Sequence, residues 1–147
     1  MARRKITNQS RTGAALVEFS FVAIIFFLFV FGIFEYGRLF FIRHLMDTAA
    51  REGARFAVVN FNDATLAADT QNLVDQYMGS YTTLPGYTRQ VYMTDNTGAN
   101  LGPPENALFG QLIAVQIDAD FDPVLPTFLF LGTPHLQVKI TMSSEAN

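Results

Sequence analysis

From Ala14 to Phe34 the chain runs 21 residues with a single charge, Glu18. At 1.5 Å per residue a helix of that length is about 30 Å long, enough to cross the hydrocarbon core of a bilayer. Nine of the 15 phenylalanines fall between Phe19 and Phe41, a concentration that a soluble core would not need. A cleavable secretory signal is the rival reading, and it requires a short apolar core followed by a small-x-small site. Here the apolar run is long, and Phe34-Glu35-Tyr36-Gly37-Arg38 follows it, so a retained membrane helix is expected.

Charge is ordered along the chain. Residues 1–13 carry Arg3, Arg4, Lys5 and Arg11 and no acid; residues 14–59 balance four acids with four bases; residues 60–147 have nine acids against Arg89 and Lys139. With the basic excess before the apolar run, the N-terminus is expected in the cytoplasm and the acidic head outside, with Tyr36 and the Arg38–Arg43 region at the outer interface. An acidic head excludes the basic face that nucleic-acid binding requires. There is no cysteine, hence no disulfide and no thiolate chemistry. Glu18 has two readings on position alone. It reaches water near the cytoplasmic interface and does nothing, or it has a partner, as intramembrane carboxylates usually do.

Gly13 immediately precedes the run, basic residues lie upstream, and Glu18 is the fifth residue after Gly13, followed by Phe19. Further on come "GIFEYGRLFF" (32–41) and "DTAAREGARFAVV" (47–59), with Ala49, Ala50, Arg51, Glu52, Gly53, Ala54 and Arg55 as its centre. This combination resembles the type IV prepilins of the tight-adherence (Flp) system, and specifically the TadE-like minor pseudopilins. The resemblance covers residues 11–59. The closing "ITMSSE" has Ser144 where the family pattern would place a basic residue. The resemblance implies a basic leader cut between Gly13 and Ala14 by a prepilin peptidase, with Glu18 and Phe19 used in recognition and assembly. It also implies partners among other pilin or pseudopilin subunits and the pilus assembly machinery, in the bacterial cytoplasmic membrane and, after assembly, at the cell surface in adhesion. Cleavage would free an amine at Ala14, with a reference pKa near 8. That cation and the Glu18 carboxylate attract strongly in a low-dielectric setting. The family resemblance implies that such pairing sets subunit register.

Beyond the membrane, Leu39, Ile42, Met46, Ala49, Gly53 and Phe56 recur at helical spacing, so one helix is expected from Ala14 to about Val59. Its small residues Ala49, Ala50, Gly53 and Ala54 suit close helix–sheet packing. Gly32 and Gly37 mark either a hinge or the ordinary tolerance of lipid helices for glycine. Asp63 is the expected N-cap of a second helix, Ala64 to Met78, closed by Gly79, with Leu66, Leu73, Val74 and Tyr77 on its apolar face. Strands are expected at 87–94, 111–122 and 135–142, with 95–106 a loop. Ile113, Val115, Ile117, Ala119 and Phe121 fall on one face of the second of these strands. The proline-bounded stretch 122–134 has three candidate roles: covering a sheet edge, touching the membrane, or touching a partner. The expected fold class is α+β and pilin-like: a long N-terminal helix, a second helix and a three-to-four-stranded antiparallel sheet on its outer half. The expected divisions are 1–13 leader, 14–36 transmembrane, 37–60 helix continuation and 61–147 head.

Asp118, Asp120 and Asp122 share one face of a strand, but a calcium loop needs glycine and glutamate where Pro123 and Leu129 stand. A solvated face is expected there. His44 and His135 are isolated along the chain, and neutral surface roles are expected of them. No nucleophile elbow, phosphate-binding glycine loop or zinc motif occurs. No cofactor, metal site or enzymatic activity is expected. The reading from a different class is a membrane-anchored extracytoplasmic binding or adaptor module that never enters a filament.

Overall fold

A computed structural model describes residues 9–124 and 133–144. Residues 1–8 of the expected leader, residues 125–132 of the proline-bounded connection and residues 145–147 lie outside the described residues. The chain divides into two compact units between Gly37 and Arg38. The fold class is α+β, as expected.

Helix α1 covers Gln9–Val59 without a break. In the first unit its apolar side chains are exposed: Phe19, Phe21, Phe29, Ile33 and Phe34 all present most of their surface. In the second unit the character changes. Ile42, Met46, Ala49, Ala50, Ala54 and Ala57 are completely buried, following the three-to-four spacing seen in the sequence.

Helix α2 covers Leu66–Met78 and ends at Gly79, which takes a positive φ of 56°. Its buried stripe is Leu66, Thr70, Val74 and Met78, one residue every four, while Tyr77 is exposed and Leu73 only half-buried. The helix begins two residues later than expected, and Asp63 is not its cap. Asp63 instead accepts the backbone N–H and hydroxyl of Thr65 at 2.9 Å each, a local turn that stops short of the helix. Those two donors hold the Asp63 carboxyl below the usual range. The first-turn donor of Ala67 is satisfied from elsewhere, by Glu105 Oε1 at 3.0 Å.

Four antiparallel strands follow: β1 Thr88–Thr94, β2 Asn100–Gly102, β3 Leu112–Asp120 and β4 His135–Ser143. Their spatial order is β2-β1-β3-β4. The stretch expected as a loop, 95–106, therefore contains the short edge strand β2, whose register to β1 slips between Met93 and Thr94. Val91, Val115 and Ile140 line up across three strands, as do Ile117 and Val138 across two. This face, with Phe121 just past β3, builds the core together with both helices. The second face is partly covered too: Tyr92, Thr94 and Asp118 are buried on it. Lys139 helps to cover it, donating to the Gly98 carbonyl and lying 5.1 Å from the centre of the Tyr92 ring.

Gly53 is a close-approach point in the core. A Cβ placed there would lie 2.8 Å from Val74 Cγ2 of α2 and 3.5 Å from Val115 Cγ1 of β3. Gly53→Ala gains about 1 kcal/mol of helix propensity but overpacks a stiff β-branched neighbour, which costs about 1–3 kcal/mol. The expected result is a net loss of stability in chemical denaturation, with Val74→Ala recovering part of the Gly53→Ala penalty in a double-mutant cycle.

Candidate functional site

Gly13, Ala14, Glu18 and Phe19 all lie on α1 and are all exposed. Ala14 and Glu18 are one helical turn apart, about 6 Å along the axis. A side chain added at Gly13 would meet nothing within 4 Å. Ser20 returns its hydroxyl to the Leu16 carbonyl at 2.7 Å, which removes a free polar group from the apolar surface. Phe26, Phe27 and Phe31 form a ladder of ring contacts, 5.6 and 6.1 Å between centres. The most apolar stretch of this helix has a mean hydropathy of 2.6 over 18 residues, and none of it is buried. It has the length and composition of a membrane anchor.

The run Ala49–Arg55 sits on the same helix but in the second unit, and it has two sides. Ala49, Ala50, Gly53 and Ala54 are buried against the head. Arg51 and Arg55 are exposed, and Arg51 Nε pairs with Asp47 at 2.8 Å one turn back. Glu52 and Arg55 border a shallow depression of about 290 Å³ together with Phe56, Val59, Asn60 and Leu73. The small residues are thus a packing surface, and the charged ones face outward.

Residues 13–55 match the family model described as TadE-like protein. Over that segment the chain is similar to the TadE-like family. The match begins at Gly13 and closes on Arg55, so it holds both the glycine ahead of the apolar run and the whole Ala49–Arg55 signature. No curated protein and no solved structure matches the chain. The TadE-like segment is entirely helical, and the head beyond Arg55 lies outside the match.

The head carries a polar chain that the sequence reading did not assemble. Tyr92 donates to Gln116 at 2.9 Å, Gln116 Nε2 donates to Asp118 at 2.9 Å, and Gln137 Nε2 donates to the other oxygen of Asp118 at 2.8 Å. His135 closes the chain, with Nδ1 2.7 Å from Asp120 and Nε2 3.6 Å from Asp118. Asp118 is therefore not on a solvated face: it is 9% exposed and fully engaged. Asp122 lies past the end of β3 and is exposed, so the three aspartates do not act as one group. His135 is not a neutral bystander either. Strand pairing brings it opposite Asp120, at a separation of 15 residues that no local pattern signals. Among the described residues, no group of three or more His, Asp or Glu is placed to hold a metal ion.

The Asp120 hydrogen bond, aided by the charges of Asp120 and Asp118, raises the His135 pKa above the ordinary histidine value. A raised folded-state pKa means that the protonated form stabilises the head. That contribution is complete below the unfolded-state value, near 6.5, and is lost as pH rises through the raised folded-state value. Head stability, followed by thermal melting across that window, is expected to fall with rising pH in the native chain. His135→Gln is expected to flatten that fall.

Proposed function

We propose that this chain is a TadE-like minor pseudopilin that is inserted N-terminus inward, cut after Gly13 by a prepilin peptidase, and used in assembling a tight-adherence type IV pilus for surface attachment. The observation that carries the reading is the placement of Gly13 and Glu18 on one exposed apolar helix, at the start of the segment that matches the family. In this reading residues 1–13 are the leader and 14–36 span the bacterial cytoplasmic membrane. The outer part of α1 and the head stand outside, as the basic excess ahead of the helix favours. The chain is then the substrate of catalysis and performs none itself.

Cleavage gives Glu18 its partner. A new amine at Ala14 and the Glu18 carboxylate lie one turn apart within a chain, and in a bundle the same charges can pair between staggered subunits. In lipid such a pair is worth far more than in water, and an unpaired member is correspondingly costly. The pair therefore favours one axial stagger of neighbouring helices.

The competing reading, an anchored adaptor that never joins a filament, draws on the self-contained core of the second unit. Two measurements separate the readings. Intact-mass spectrometry of the protein from cells holding the peptidase is expected to give a mature chain beginning at Ala14, and a start anywhere else counts against processing. Glu18→Gln is expected to leave membrane insertion intact and abolish incorporation into pilus assembly. Unchanged assembly would remove the register role.

A further inference from the structure

The two edges of the sheet differ. The β2 edge is three residues long and its register slips, both of which blunt it. The β4 edge is nine residues long, free of proline, and in continuous register with β3 from His135 to Ser143. Among the described residues no strand pairs with its outer side. Phe121 N–H donates to the Pro134 carbonyl at 2.9 Å and Ser144 N–H to Gln111 at 2.8 Å, so even-numbered main-chain groups turn toward β3. Antiparallel alternation then turns the N–H and C=O groups of His135, Gln137, Lys139, Thr141 and Ser143 outward. A groove of about 490 Å³ runs along this edge, walled by Phe40, Arg43, His44 and Asp47 of α1 on one side and residues 137–140 on the other.

We infer that the β4 edge is a strand-addition site for an extended acidic segment of another polypeptide. The outward main-chain groups supply the ladder, as in other cases where a peptide extends a sheet. Phe40 and Ile140 offer an apolar seat for alternate side chains. Charge selects the occupant. Asp47 is already paired with Arg51, which leaves Arg43 as the uncompensated charge on the groove wall among the described residues. Lys139, at the middle of the strand, is already engaged by the Gly98 carbonyl and the Tyr92 ring on the covered face. A carboxylate-bearing strand therefore meets its counter-charge at Arg43. This inference does not depend on leader cleavage or on entry into a filament.

The test uses the full chain in neutral detergent micelles and a short fluorescent peptide of alternating valine and aspartate, with binding read by polarisation. Saturable binding is expected, weakened about tenfold or more by Thr141→Pro, which removes an outward donor while sparing the bonds to β3. Methylating alternate peptide nitrogens is expected to abolish binding without touching the protein, so the result stands even if Thr141→Pro fails to fold. Arg43→Glu is expected to weaken binding several-fold, and a valine–lysine peptide is expected not to bind. Absence of binding, equal binding of the lysine peptide, or insensitivity to methylation overturns the proposal. So does a peptide-free dimer in sedimentation that Thr141→Pro disrupts, which assigns the edge to a second copy. Protection of the Gln137 and Lys139 amides from hydrogen exchange by anionic-lipid nanodiscs alone overturns it in favour of the membrane surface.

Discussion

The head depends on how closely α1 can approach α2 and β3, and that distance is set by the missing side chain at Gly53. Val74 occupies the space a Cβ would need, and Val115 lies in van der Waals reach on the sheet side. Ala49, Ala50, Ala54 and Ala57 keep the rest of that helix face equally flat. A flat helix face lets large residues from the other layers fill the core: Ile113, Ile117 and Phe121 from the sheet side, and Leu66 and Met78 from α2. Interiors pack at crystal-like density, so the small residues on one element and the large residues on its partners are one design.

The same helix therefore meets two different environments. Up to Gly37 its apolar surface faces outward, and the only stable setting for such a surface is lipid or other helices. From Arg38 onward its apolar stripe is narrow and is covered by the head. Charged residues mark the change: Arg38 lies over the Phe121 ring at 4.5 Å, and Asp47 and Arg51 pair on the exposed side. The family signature straddles the change, with Gly13 and Glu18 in the exposed part and Ala49–Arg55 in the covered part. The matched segment thus spans an exposed apolar part and a part packed against the head.

Secondary structure was legible wherever periodicity was strong. The stripe through Ile42, Met46, Ala49 and Gly53 and the alternation through Ile113, Val115, Ile117 and Ala119 both appear as read. The reading went wrong where the deciding partner is distant. Asp63 has the right chemistry for a cap, but the donor at the start of α2 is taken by Glu105, 38 positions away. Tyr77 has the character of an inner-face residue of α2, but the buried stripe follows Thr70 and Met78 instead. The strand at Asn100–Gly102 is too short to show a period and exists through its pairing with β1.

The sequence by itself determined the membrane-length helix, its charge order, the Gly13 and Glu18 spacing and the inward face of β3, because each rests on local composition or a short period. Only the tertiary structure decided that Asp118 is buried, that His135 meets Asp120 and that, among the described residues, no strand pairs with the outer side of β4. Those outcomes follow from strand order and register, which join residues through pairings that no stretch of sequence contains.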